Sequence, residues 1–105
     1  MKVCSWVLMS ALATANLATS LAHSSDVDAG ERKARVCAGC HGVDGNSVNS
    51  QWPKLAGQHE AYLVKSMRAY RSGSRRDPVM GAMTKPLTDA DIDNLAAYFA
   101  AQSSK

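Results

Sequence analysis

The chain has few of the features that usually announce a function. Only three of its 105 residues are cysteine: Cys4, Cys37 and Cys40. A disulfide between Cys37 and Cys40 would close a two-residue loop and staple almost nothing. No strand-like run precedes that pair, so the βαβ setting of a thioredoxin-like redox couple is missing. Charge of one sign is scarce too, with 12 basic against 9 acidic side chains and a formal charge of +3. That surplus is too small to argue for nucleic acid. Long apolar runs are also lacking. Val3 to Leu21 is largely apolar or small but is interrupted by Ser, Thr and Asn, short of the roughly 20 apolar residues of a spanning helix. No repeat, low-complexity tract or second domain is visible.

What is there centres on Val36-Cys37-Ala38-Gly39-Cys40-His41-Gly42. Cys-x-x-Cys-His is the attachment signature of a c-type haem. Two thiols two residues apart at a helix end can each add across one of two vinyl groups on the same porphyrin edge. His41 then lies over the iron as an axial ligand, and Gly39 leaves room for porphyrin against backbone. A zinc site is the competing use of such thiols. It needs two more thiolate or imidazole ligands, and only Cys4, His23 and His59 are left to supply them.

Met1-Lys2, the apolar stretch and the small-x-small site Ser20-Leu21-Ala22 read as a signal peptide over residues 1–22, with His23 the new N-terminus. The competing possibility is an uncleaved membrane anchor. Removing 22 of the 105 residues leaves 83, one small domain spanning residues 23–105. Domains of that size bury only about 60–65% of their unfolded surface and often need a staple, which a covalent haem provides. Cys4 leaves with the leader, so no thiol stays free in an oxidising compartment. Losing Lys2 lowers the basic surplus to two, and two haem propionates would bring the whole near neutral.

Three helices are expected in the domain. The first runs from about 27 to 38, capped by Asp26 or Asp28, with Glu31 in its first turn, and it delivers Cys37. Gly30 within it either permits close helix–helix approach or sits near the start, where its cost is small. The second spans about 58–72, with Tyr62, Leu63, Met67 and Tyr70 at helical spacing and Gly73 as its stop. His59 begins it as an exposed residue, and Lys65, Arg68 and Arg71 form its solvated face. The third spans about 88–102, started by Thr88 with Asp91 three residues on, and carries an apolar stripe of Ile92, Leu95, Ala96 and Phe99. It should pack on the first helix.

The remaining segments read as loops. Residues 42–51 are almost all turn chemistry. After them, Trp52 and Leu55 can close over one side of the haem. Pro53 can lend its carbonyl to the second ring N–H of His41, or be a plain turn proline. Residues 75–86 hold too many helix breakers for regular structure and read as an extended loop carrying Met80 and Met83. Thioether sulfur suits haem iron opposite histidine, and spacing alone does not choose between the two methionines.

In order, Cys37 to Ser47, Pro53 to Gln58, Asp77 to Met80, Pro86 to Ile92 and Leu95 to Phe99 resemble a class I cytochrome c. The likeness is nearest to bacterial cytochrome c553 and to one half of dihaem cytochrome c4, and it covers essentially all of residues 23–105. It implies a small all-α cytochrome c fold, three to four helices wrapped around one covalently attached haem c. It implies thioethers at Cys37 and Cys40, His41 as proximal ligand with its N–H on the Pro53 carbonyl, and Met80 as distal ligand. It further implies that Gly30 and Tyr98 or Phe99 lie where the first and last helices cross. Dihaem relatives carry two attachment motifs and this sequence has one. The expected role is a monomeric periplasmic one-electron carrier, not an enzyme. Its expected partners are redox proteins such as a cytochrome bc1-type complex, a dehydrogenase or a terminal oxidase. The alternatives are the haem subunit of a larger redox enzyme, or a peroxidase or gas-binding protein should Met80 leave the iron.

Overall fold

A computed structural model describes residues 13–15 and 24–105. Apart from residues 13–15, the signal peptide and its cleavage site lie outside the described residues. Those described contain helices only: α1 (Val27–Ala34), α2 (Ala38–His41), α3 (Glu60–Ser72), α4 (Pro78–Thr84) and α5 (Asp89–Ala100). None is long and apolar enough to cross a membrane.

The frame is α5, against which α1 and α3 both pack, while α4 packs on α3. Its start follows from local chemistry. The Thr88 hydroxyl accepts from the Asp91 amide at 3.1 Å, and the Asp91 carboxylate accepts from the Thr88 amide at 3.0 Å, a reciprocal capping box. The expected stripe of Ile92, Leu95, Ala96 and Phe99 is fully buried, and Tyr98 is buried beside it. Ala34 of α1 and Leu63 of α3 join this core, with Met67, Val64, Leu87, Cys37 and Leu55 packed at its margin.

Gly30 marks the α1–α5 crossing. A Cβ built there would stand 2.0 Å from the Asn94 carbonyl oxygen and 2.9 Å from the Tyr98 Cβ. Nothing larger than hydrogen fits. Asp26 caps α1 by accepting from Ala29 N at 3.0 Å, and its own amide donates to the Asn94 side chain at 2.8 Å. One residue pair thus starts α1 and ties it to α5.

The structure departs from the sequence expectation in four places. The first helix does not run unbroken to residue 38. It ends at Ala34, where Cys37 N bonds back three residues to Ala34 O at 2.9 Å, and the chain restarts as the one-turn α2. Residues 78–84 form a helix, not a loop, because Asp77 caps it and Pro78 stands at its first turn, where a proline costs nothing. The face expected to be solvated by Lys65, Arg68 and Arg71 is partly engaged. Arg68 pairs with Asp93 at 3.6 Å and Arg71 with Asp89 at 2.5 Å, both on α5. Tyr62, expected on the apolar face, is 49% exposed.

Candidate functional site

The attachment motif straddles the α1–α2 turn. Bonds from Cys40 N and His41 N to Cys37 O, at 3.3 and 2.9 Å, wind Cys37, Cys40 and His41 into a single turn. Both cysteines are half-buried. Burial pushes the Cys37 thiol above its ordinary pKa, and Cys40 beside it adds to the rise. A reactive dithiol would call for the opposite shift. Among the described residues no three His, Cys, Asp or Glu side chains group as metal ligands, so the zinc alternative finds no further support there. A Cβ on Gly39 would meet no protein atom within 4 Å.

His41 is 7% exposed. Its Nδ1 lies 2.8 Å from the Pro53 carbonyl oxygen. A carbonyl oxygen can only accept, so Nδ1 carries a proton, and in the neutral ring Nε2 keeps its lone pair. That is the tautomer a metal-ligating imidazole requires. Two thiols, an oriented imidazole and neutral thioethers elsewhere in the chain form a donor set that fits a covalent haem.

The segment joining His41 to Pro53 is held from outside. Gly45, at φ 80°, takes a left-handed turn that other residues rarely adopt, and a side chain there would strike Ala56 N and Phe99 at 2.8 Å. Its carbonyl accepts from Leu55 N at 2.8 Å and Ala56 N at 3.2 Å, bringing the Pro53 segment back beside the motif. The Tyr98 hydroxyl donates to Val43 O at 2.8 Å, and Gly57 N donates to Phe99 O at 3.0 Å. Asn46 donates through its amide to Ser103 O at 2.9 Å and accepts from Lys105 N at 2.8 Å. None of these links is visible as a motif. The only sequence signal for them is the density of turn residues between 42 and 51.

Asp44 belongs to this clasp. Hydrogen bonds from Asn46, and then the Lys105 ammonium at 3.1 Å from its carboxylate, hold its pKa down to about 2. A depressed carboxyl stabilises the folded state above the usual aspartate range near ~4 and loses that contribution as pH falls through the depressed value. The Asn46 amide and its contacts to Ser103 and Lys105 should therefore stay intact at pH 4 and loosen only toward pH 2. An NMR titration of the Asn46 amide shift checks this, and a midpoint at the ordinary aspartate value would contradict it.

Met80 sits in the first turn of α4, half-buried, with its amide donating to Asp77 Oδ1 at 2.9 Å. Met83, later in the same helix, is 39% exposed. Leu55, like Cys37, packs at the margin of the core, whereas Trp52 is 41% exposed and outside that cluster. The structure thus brings His41 and Pro53 into contact, gathers Cys37 and Leu55 on one core, and holds Met80 on a separate capped helix.

Comparison with known proteins agrees with this arrangement. The sequence matches the cytochrome c family over residues 27–103. It is 47% identical over 97 residues to cytochrome c4 of Pseudomonas aeruginosa, covering 91% of this chain and 48% of that protein. It is 40% identical over 82 residues to cytochrome c-554(548) of Halomonas halodenitrificans, covering 75% of this chain and 99% of that one. The fold superposes on reduced recombinant cytochrome c4 from Pseudomonas stutzeri with a TM-score of 0.74 at 42% identity, covering 78% of this chain and 48% of the other. The chain thus spans about half the length of the cytochrome c4 proteins it matches. A helical frame around a turn bearing two thiols and an oriented imidazole, matched from residue 27 to 103, leaves one conclusion: the chain belongs to the cytochrome c family and carries one covalently bound c-type haem.

Proposed function

We propose that this protein is a periplasmic one-electron carrier in which Cys37 and Cys40 tether the haem and His41 and Met80 ligate its iron. The observation that carries the reading is the 2.8 Å contact between His41 Nδ1 and the Pro53 carbonyl, which leaves Nε2 free to coordinate. The cofactor, when bound, supplies a reversible ferric–ferrous couple. The protein's part is to hold two side-chain donors in place through both oxidation states. The Pro53 carbonyl stops the imidazole from rotating and makes it a stronger donor. The Met80 thioether is neutral and soft, which favours the reduced form and raises the potential. Leu55 and Trp52 would supply apolar contact on the proximal side. Were His41 and Met80 both to hold the iron, no position would remain for substrate or oxygen, as suits a carrier.

Residues 1–22 fit an export signal, so the mature chain would begin at His23, and N-terminal sequencing of the periplasmic form tests this. The partners are other redox proteins. Among the classes that fit are a cytochrome bc1-type complex, a dehydrogenase and a terminal oxidase.

Met80→Ala tests the ligand set. The ferric sulfur-to-iron charge-transfer band should disappear. The midpoint potential should fall by on the order of a hundred millivolts, within the roughly 0.8 V span that axial ligands control. An unchanged spectrum would eliminate Met80 and point to Met83.

A further inference from the structure

The helix that carries Met80 is too short to hold itself. It has seven residues, and isolated helices below about 12–15 residues are marginal in water. Two side chains grip it, and both act on the same residue. From the N-terminal side, Asp77 Oδ1 accepts from Val79 N at 3.0 Å and from Met80 N at 2.9 Å. From the C-terminal side, the Thr84 hydroxyl donates to Met80 O at 2.8 Å, with a longer contact of 3.4 Å to Gly81 O. Thr84 is 2% exposed, the one hydroxyl-bearing residue among the largest fully buried side chains. The Leu87 amide donates to Thr84 O at 3.0 Å, and Tyr70 of α3 faces the same helix at Gly81, its carbonyl 3.9 Å from the position of a Gly81 Cβ.

We infer that Asp77 and Thr84 are positioning residues which fix the Met80 backbone at its N–H and its C=O, and so set how readily the thioether leaves the iron. The inference rests on the ligand assignment proposed above. Neither residue touches the cofactor. The physical basis is that a methionine side chain has three rotatable bonds and little stiffness of its own. Its sulfur stays in place only as well as its Cα does. A backbone pinned from both sides leaves side-chain rotation as the only route of dissociation.

A threonine bonded back to the carbonyl four residues before it also occurs as plain satisfaction of a buried hydroxyl. The test must separate the two roles. Thr84→Val keeps the volume and removes the donor, while Thr84→Ser keeps the donor. In the ferric holoprotein, imidazole can bind only when Met80 leaves, so its binding rate reads the opening of that ligand. Loss of one hydrogen bond in a buried setting should raise that rate about three- to tenfold in Thr84→Val. The sulfur-to-iron band should also weaken at lower temperature than in the parent. Thr84→Ser should return both toward the parent values, and Asp77→Ala should raise the rate again when combined with Thr84→Val. A parental imidazole rate in Thr84→Val would overturn the inference, as would a rise that Thr84→Ser fails to reverse. The ligand assignment fails separately, through a sulfur-to-iron band that survives Met80→Ala.

Discussion

Gly30→Ala is expected to cost this protein about 2–3 kcal/mol, a large part of the stability of a domain this small. Two opposing effects meet at the position. Alanine in place of a helical glycine gains up to ~1 kcal/mol of intrinsic helix preference. Against that, the added methyl would stand 2.0 Å from the Asn94 carbonyl oxygen and 2.6 Å from its carbon. Both are backbone atoms, which cannot rotate aside like the end of a side chain. The helices would have to separate by more than an ångström, loosening the packing of Tyr98 and the Asp26–Asn94 hydrogen bond in the same step. Steric cost exceeds propensity several-fold. A thermal melt of the holoprotein should show a Tm lower by roughly 10–25 °C. An unchanged or raised Tm would mean that α1 and α5 do not cross as closely as described.

The second large effect concerns the staple. Cys37→Ser combined with Cys40→Ser should leave a chain with little stable structure. Among the described residues, the buried hydrophobic ones are Ala34, Ala56, Leu63, Ile92, Leu95, Ala96, Ala97, Tyr98 and Phe99. Four of these nine are alanines, which bury almost no side chain. Three aliphatic and two aromatic residues make a thin core for about eighty residues of chain, each costing roughly 1–2 kcal/mol of backbone entropy to order. A covalently held apolar plate adds the missing surface and removes freedom from the unfolded chain. By analogy with disulfides in small domains, losing such a link costs about 2–5 kcal/mol before any lost packing is counted. Far-UV circular dichroism of the variant should show most of the helical signal gone at 25 °C. A stable, cooperatively melting helical apoprotein would contradict the argument.

The helices were legible to the extent that their signals are local. Thr88 with Asp91, the spacing of Ile92, Leu95, Ala96 and Phe99, and Gly73 beyond Ser72 each act within a turn or two, and the structure follows them closely. Residues 78–84 read as a loop only where proline acts as a breaker. Beside a capping aspartate, Pro78 starts a helix. Arg68 and Arg71 read as solvated because their partners, Asp93 and Asp89, lie some twenty residues away on another helix. The break at Ala34 went unseen because nothing in the residues around it forbids continuing the helix.

Sequence alone settled the chemistry available to this protein: two thiols and an imidazole at fixed short spacing, two candidate thioethers, and three helical stretches with their caps. Those follow from side-chain identity and from interactions a few residues in reach. Tertiary structure alone decided which groups meet. It set His41 against a carbonyl twelve residues away, Gly30 against the backbone of α5, and Met80 between the two side chains that hold its helix. Such pairings depend on how α1 and α3 close on α5 and how the 42–53 segment folds back, and no local preference encodes that closure.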